Sequence, residues 1–313
     1  MGATVHRLKR RMTTVLVTAA VLTATTMLAA CTKDETVAPA FLHVEGIKTY
    51  IPTSGAFSTD SAFYRSDIVA AYVVAKYPGA GSVDTIGLFR LPFTVPVLHN
   101  GPVEYINLYP AVEQSGVSGA LPFYTFYNHI HREGLSLTAG DTLDMGVDST
   151  TYSPLCDTVQ LFEPFERPSD HIRFDSILQW VDNDPAGACT GYGYGMLQLN
   201  ASQTMLSFAT EDLFYVPSAT KIVYLELDIK SEIPLQVYMH STYIDGGSED
   251  QLPVMMINPI DHWQHLYINL GRTWAYFNHR PTFRLSFSAI NQDAIDGAVR
   301  IDNVKLITTD VSI

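Results

Sequence analysis

Short apolar runs separated by turn-forming residues dominate the chain after residue 40 and constrain its fold most strongly. Their side chains alternate or are β-branched, and Gly, Pro, Asn and Asp fill the gaps, as in HNGP (99–102) and NQDAIDG (291–297). No convincing amphipathic helix follows residue 40. This pattern predicts an all-β protein built of sandwiches or barrels. The predicted strands cover residues 68–76, 85–91, 105–108, 135–137, 222–229, 235–240, 266–270, 283–288 and 299–307.

A stretch rich in Ser, Thr, Asp and Pro at 149–158 predicts a boundary between two domains, 41–150 and 151–313. Domains of that size are ordinary for globular proteins. Hydrophobic residues make up 47% of the chain and charged residues only 16%. That composition favours packed cores over disorder.

The first thirty residues have the pattern of an export signal. A basic segment at 7–11 precedes an uncharged, mostly apolar run at 15–28, which is too short to span a bilayer comfortably. LAAC (28–31) resembles the lipobox of bacterial lipoproteins, and that resemblance implies that Cys31 carries the lipid anchor. TKDE (32–35) resembles the export tag of Bacteroidetes surface lipoproteins. We therefore expect a signal peptide at 1–30, a lipidated tether at 31–40 and exposure on the outer membrane; the alternative is an ordinary secretory signal.

Charge and cysteine content narrow the choice of partners. The chain has 19 Lys and Arg against 32 Asp and Glu, a formal net charge of −13. Such a surface repels nucleic acid, so we exclude nucleic-acid binding. If Cys31 is acylated, Cys156 and Cys189 remain, and they could pair in an oxidising compartment or serve as two small buried apolar residues.

The first half carries DIVAAYVV (67–74) and DTIGLFRLPFTVPVL (84–98). Pro92 and Pro96 cannot donate to a strand ladder, which places them at strand ends or edges. This pattern resembles the small PEGA-like β-sandwich modules of bacterial surface proteins. The resemblance implies a small N-terminal β-sandwich.

The second half carries VYLELDIKSEIPLQVYMH (223–240), the Trp-led strand DHWQHLYINLGRTW (261–274) and the closing GAVRIDNVKLIT (297–308). This order resembles galactose-binding-like jelly rolls, the fold of many carbohydrate-binding modules, and implies a C-terminal β-jelly-roll sandwich. The whole exported part resembles uncharacterised Bacteroidetes surface lipoproteins that pair the two modules. Those proteins have no firm activity to transfer.

Function is less constrained than fold. Sugar-binding modules stack aromatic rings on sugar faces, and Tyr238, Tyr243, Trp274 and Tyr276 lie in or beside predicted elements of the second half. The alternative role for these rings is core packing. No nucleophile elbow occurs, and no carboxylate pair stands out, so we expect no enzymatic activity. The leading prediction is a surface lipoprotein that binds glycan; the alternative is a structural or assembly subunit that contacts outer-membrane proteins.

Metal binding is the last expectation. The jelly-roll resemblance implies a structural calcium ion where the first and last strands meet, with Asp302 in the closing strand and Glu163 or Glu166 in the opening segment. The alternative is that Asp302 is exposed or binds backbone amides, and we predict no required cofactor. His129 and His131 share a strand face, but no third ligand follows at a telling spacing, which favours two exposed or hydrogen-bonded histidines.

Overall fold

The computed structural model describes residues 38–153, 158–166, 173–215, 222–242, 249–277, 280 and 282–309. The predicted lipidation site Cys31 lies outside these residues, as do Cys156 and Tyr243. Within the described ranges, no helix is long and apolar enough to cross a membrane.

The first half is a β-sandwich. One sheet has the strand order β4-β3-β6-β7 and the other β5-β1-β8, while β2 pairs with β9. Alternation builds the core, because Ala71 and Val73 of β3 face inward together with Ile106 and Leu108 of β6. The strands are β1 (Ala40–Val44), β2 (Gly46–Thr49), β3 (Ala70–Lys76), β4 (Asp84–Arg90), β5 (Phe93–Val97), β6 (Gly101–Ala111), β7 (Ile130–Leu137), β8 (Thr142–Asp144) and β9 (Val147–Thr150).

The second half is a jelly-roll sandwich with two sheets. The first sheet runs β11-β12-β20-β15-β18, with β10 also paired to β20. The second sheet runs β13-β19-β16-β17, with β14 also paired to β19. The strands are β10 (Thr158–Glu163), β11 (Gln179–Val181), β12 (Tyr194–Leu199), β13 (Met205–Ala209), β14 (Phe214–Tyr215), β15 (Ile222–Ser231), β16 (Leu235–Thr242), β17 (Glu249–Ile257), β18 (Ile260–Asn269), β19 (Thr282–Ile290) and β20 (Gly297–Thr309).

The predicted all-β fold, a small sandwich followed by a jelly roll, is confirmed. The Pro-containing turn at 232–234 joins two strands and carries the chain from β15 in the first sheet to β16 in the second. The two sheets enclose one core, in which Leu225 and Leu227 meet Val237 and Met239.

One segment differs from its prediction. The strand expected to run through residue 274 ends at Asn269, and a short helix, α1 (Gly271–Tyr276), follows it. The helix places the Trp274 ring in the jelly-roll core at 1% exposure. Its indole Nε1 donates to the carbonyl oxygen of Arg280 at 2.9 Å. A second short helix, a 3-10 turn at Ser61–Tyr64, lies in the first half.

Aromatic side chains join the two halves. The first half contributes Phe63, Tyr124 and Tyr152, and the second half contributes Tyr224 and Tyr267 to the same buried cluster. Tyr124 packs edge-on against Tyr224 and Tyr267, with ring centroids 5.2 and 4.8 Å apart. The first half therefore covers the outer face of β15, β18 and β20.

Candidate functional site

Charged residues alternate with core residues along β15. Leu225, Leu227 and Ile229 face the jelly-roll core, so the residues between them face the first half. Glu226 and Asp228 are there, and both are 0% exposed. Neighbouring strands of the same sheet add His265 and Lys305, at 4% and 0% exposure. A buried carboxylate is costly unless it is paired, so the partners of this face decide what it does.

Glu226 is the centre of a dense set of contacts. Its carboxylate lies 2.7 Å from Nζ of Lys305 and 3.2 Å from Nε2 of His265. Hydroxyl groups of Tyr124 and Tyr152, both from the first half, donate to it at 2.5 and 2.7 Å. Lys305 Nζ also donates to the Phe63 carbonyl oxygen at 2.8 Å. Both charges of this ion pair belong to the second half, and groups of the first half form hydrogen bonds with each of them.

Asp228 repeats this arrangement one step along the strand. His265 Nδ1 lies 3.2 Å from its carboxylate. Arg65, from the first half, donates from Nε at 2.7 Å, and the Asn303 side-chain amide donates at 2.8 Å. We call Glu226, Asp228, His265, Lys305 and Arg65 the buried charge cluster.

Neighbouring charges set the protonation of this cluster. Burial by itself raises the pKa of Glu226, but Lys305 and His265 outweigh burial and lower that pKa to about 2. Burial also opposes charge on His265, but Asp228 and Glu226 raise the pKa of the imidazole above its usual value. The carboxylates therefore stay ionised at neutral pH and favour a protonated His265.

The cluster has residue types that active sites use, but its geometry suits a structural role. Its carboxylates and its lysine are buried, and they are bonded to one another or to the first half. Among the described residues, no group of three or more His, Cys, Asp or Glu side chains could hold a metal ion. The buried charge cluster thus holds the two halves together.

Each predicted calcium ligand is hydrogen-bonded to backbone amides. Asp302 is 0% exposed and accepts backbone N–H bonds from Cys189, Thr190 and Asn303 at 3.1, 3.2 and 2.7 Å. Burial raises the pKa of its carboxyl to about 8, although these amides oppose the shift. The alternative stated for Asp302, binding to backbone amides, is the one observed.

The two glutamates are also occupied by amides. Glu163 accepts the Phe165 N–H at 2.8 Å. Glu166 accepts the Tyr192 N–H at 2.8 Å, so it fastens the loop before β12. Within the part of the chain that the structure describes, no group of three such side chains could hold a metal ion, and the structural calcium ion stays a prediction.

The predicted aromatic residues of the second half do not lie on one surface. Tyr238 lies on the outer face of β16 and is half-buried, whereas Tyr276 ends α1 and is 76% exposed. Trp274 belongs to the core, so its prediction as a ligand-stacking ring is wrong. Cys189 is half-buried, while its predicted partner Cys156 lies outside the described residues, so their pairing stays a prediction.

The outer face of the second sheet is polar, although Ser286 is only 7% exposed. Tyr238 stands opposite Ser286 and Pro253 on the neighbouring strands. His240 Nε2 lies 2.6 Å from the Ser286 hydroxyl, and burial lowers the pKa of that imidazole. We call this surface the Tyr238 face.

One ion pair completes the Tyr238 face. Arg284 donates two hydrogen bonds to Glu249, from Nε at 2.8 Å and from Nη2 at 2.6 Å. The guanidinium and the carboxylate cancel each other's charge. The face therefore offers an aromatic ring beside neutral or neutralised hydrogen-bonding groups.

The sequence contains a signal for the buried charge cluster and for His129 and His131 in the first half. Alternating charges in LELD (225–228) are the sequence signal of a strand face that does not point into an apolar core. His129 and His131 are exposed as favoured, and His131 bonds Asn107 and Glu133 at 2.7 and 3.0 Å.

Comparison with known proteins gives structural likenesses only. No family model matches the chain, and no curated protein matches it. A solved structure of TmCBM61 with β-1,4-galactotriose is 14% identical with a TM-score of 0.28, over 44% of this chain and 86% of that one. The CBM22-1 xylan-binding domain of Paenibacillus barcinonensis Xyn10C is 12% identical with a TM-score of 0.35, over 49% and 96%. The family 11 carbohydrate-binding module of Clostridium thermocellum Lic26A-Cel5E is 15% identical with a TM-score of 0.30, over 46% and 91%.

Proposed function

We propose that this chain is a non-catalytic binding protein whose ligand is a glycan, and that the Tyr238 face is its binding surface. The observation that carries the proposal is the difference between the two outer faces of the jelly roll. The first half seals one face with the buried charge cluster. The other face, on β13, β19, β16 and β17, keeps a row of polar side chains beside Tyr238.

The chemistry of this face suits sugars. A sugar ring presents C–H groups on its faces and hydroxyl groups at its rim, so it needs an aromatic surface flanked by donors and acceptors. Tyr238 supplies the ring, and His240, Ser286 and Arg284 supply donors and acceptors within the same sheet. Because Arg284 is already paired with Glu249, the face favours a neutral ligand over a charged one.

We further propose that the protein acts at the cell surface, held to the outer membrane by lipid on Cys31. The lipobox-like segment after a short apolar run and the acidic tag that follows support this location. A binding surface on a lipid-anchored chain would retain polysaccharide next to the cell.

The test is a binding screen of the full chain against soluble polysaccharides, followed by calorimetric titration of the best ligand. Tyr238→Ala should weaken binding at least about tenfold, which is about 1.4 kcal/mol. Tyr276→Ala is the matched control, because that ring is 76% exposed but lies on α1 and not on the Tyr238 face. Melting curves must show that both variants fold.

Two outcomes would overturn the proposal. The first is that no polysaccharide binds, while pull-down from the outer membrane retains a protein partner, which is the result expected for an assembly subunit. The second is that binding survives Tyr238→Ala and is lost in Tyr276→Ala, which would move the site to α1.

A further inference from the structure

The four-stranded sheet of the first half carries a row of aromatic rings on its outer face. Ile106 and Leu108 of β6 face the core, so the alternate residues Tyr105 and Tyr109 face outward. Histidines from β7 and its approach stand beside them. The row, which we call the aromatic stripe, consists in spatial order of Tyr72, Phe123, Tyr109, His129, His131 and Tyr105.

Each ring of the aromatic stripe contacts the next. Phe123 lies between Tyr72 and Tyr109, with centroid distances of 6.2 and 6.4 Å. Tyr109 and His129 are stacked at 5.2 Å with an interplanar angle of 26°. His131 follows at 6.3 Å from His129 and meets Tyr105 at 5.1 Å. Core packing does not explain this row of rings, because it lies on the outer face of the sheet and Phe123 is 46% exposed.

Two adjoining clefts make this platform concave. One, of about 310 Å³, is lined by Tyr109, Phe123 and His129 among others. The other, of about 300 Å³, extends from His129 to Arg132. Asn128 and His129 line both clefts, so the clefts adjoin at these residues, and we call the two together the groove. Ligand sites are concave and combine apolar walls with a few placed polar groups.

The second cleft supplies those polar groups. Arg132 donates to Asp148 through Nε at 3.2 Å and also through Nη2. Its side chain is 51% exposed, so donors that this pair does not use face solvent. Thr151 also lines the cleft and is 7% exposed, and its buried hydroxyl has no hydrogen-bond partner in the described structure. Unpartnered buried hydroxyls are uncommon, and a ligand or a bridging water satisfies them.

Charge selects the class of ligand. Arg132 and Asp148 are the formally charged residues that line the two clefts, and they neutralise each other. The chain as a whole has a net charge of −13 and repels polyanions. A phosphorylated or acidic ligand would therefore find no unpaired cation, and a basic peptide no unpaired carboxylate. A neutral molecule with apolar faces and a hydroxylated rim satisfies both the rings and the Arg132–Asp148 pair.

We propose that this groove is a second saccharide-binding site, specific for neutral oligosaccharide. It lies in the first half and goes beyond the function proposed for the jelly roll, because it does not depend on the Tyr238 face. Two sites on one chain would bind a long polysaccharide more tightly than either site alone, by raising the effective concentration of the second contact.

The experiment is calorimetric titration of the full chain with short, neutral oligosaccharides from a glycan array. Phe123→Ala and His129→Ala change the groove, and Tyr238→Ala changes the jelly-roll face. Tyr192→Ala is the control, since that ring is 62% exposed outside both surfaces. We expect a stoichiometry near two for the parent chain and near one for Phe123→Ala. Binding should weaken at least tenfold at the remaining site when Phe123→Ala is added to Tyr238→Ala.

The results separate the two proposals. A stoichiometry of one that is abolished by Tyr238→Ala and unchanged by Phe123→Ala and His129→Ala would overturn the groove and leave the jelly-roll site intact. If Phe123→Ala loses all binding while Tyr238→Ala binds as the parent chain does, the result would support the groove and overturn the jelly-roll site. Absence of any neutral saccharide ligand, with capture of a protein on the aromatic stripe, would overturn both.

Discussion

The ammonium group of Lys305 should be the costliest single group to remove from the contact between the two halves, because it bonds Glu226 in its own half and two groups of the first half. Lys305→Met keeps a straight side chain of similar length but removes the ammonium group. Nζ lies 2.7 Å from Glu226, 2.8 Å from the Phe63 carbonyl oxygen and 2.7 Å from the Tyr152 hydroxyl. The substitution leaves a fully buried carboxylate with one cation fewer.

Removing one partner of a buried ion pair costs about 3–5 kcal/mol, because the other charge stays buried without compensation. For domains of 150–250 residues, one kcal/mol moves Tm by about 2–4 °C. Lys305→Met should therefore lower Tm by roughly 6–20 °C, measured by calorimetry and by urea unfolding. Lys48→Met is the matched control: Lys48 is exposed on β2, and its replacement should cost less than about 0.5 kcal/mol.

A double variant tests whether the charge itself is responsible. Adding Glu226→Gln to Lys305→Met removes the orphaned carboxylate, so the double variant should lose less stability than the sum of the two single variants, by at least about 1 kcal/mol. Strict additivity, or a loss below about 1 kcal/mol for Lys305→Met alone, would refute the assignment of this buried ion pair as the main charge pair beneath the first half.

Four further expectations concern the pH dependence of the buried charge cluster and three other positions. In urea unfolding at a series of pH values, stabilisation from Glu226, whose pKa falls from 4.5 to about 2 on folding, should be lost as pH drops through that range. Stabilisation from His265, whose pKa rises above 6.5 on folding, is lost as pH increases through the folded value, and a flat profile from pH 3 to 8 would contradict both. Trp274→Ala should cost about 3–5 kcal/mol in urea unfolding, because it leaves a cavity in the jelly-roll core. Asp302→Ala should cost about 1–3 kcal/mol equally with calcium and with chelator, and a loss seen only with calcium would restore Asp302 as a ligand. Cys31→Ser should abolish palmitate labelling and membrane retention in cell fractionation, and unchanged labelling would exclude the lipid anchor.

The sequence by itself determined the class of fold. Alternation along β3, β15 and β16 is a local property: it requires one apolar face per strand, and strands with such faces must pack in layers. The same pattern already marks Glu226 and Asp228 as facing away from the jelly-roll core. Turn residues between the runs limit the length of the strands, so the all-β fold class can be predicted without tertiary information.

Only the tertiary structure decided which faces are open. Nothing local in the sequence shows that Arg65, Tyr124 and Tyr152 lie over Glu226 and Asp228, because these contacts join residues far apart in the chain. Local sequence does not predict the position of Trp274 either. Its ring lies in the core because a short helix turns it inward. Phe123 and Tyr109 meet on one surface only when β6 is paired and the following loop folds back. Burial and ligand access depend on which surfaces the chain brings together, and single-residue patterns do not encode that.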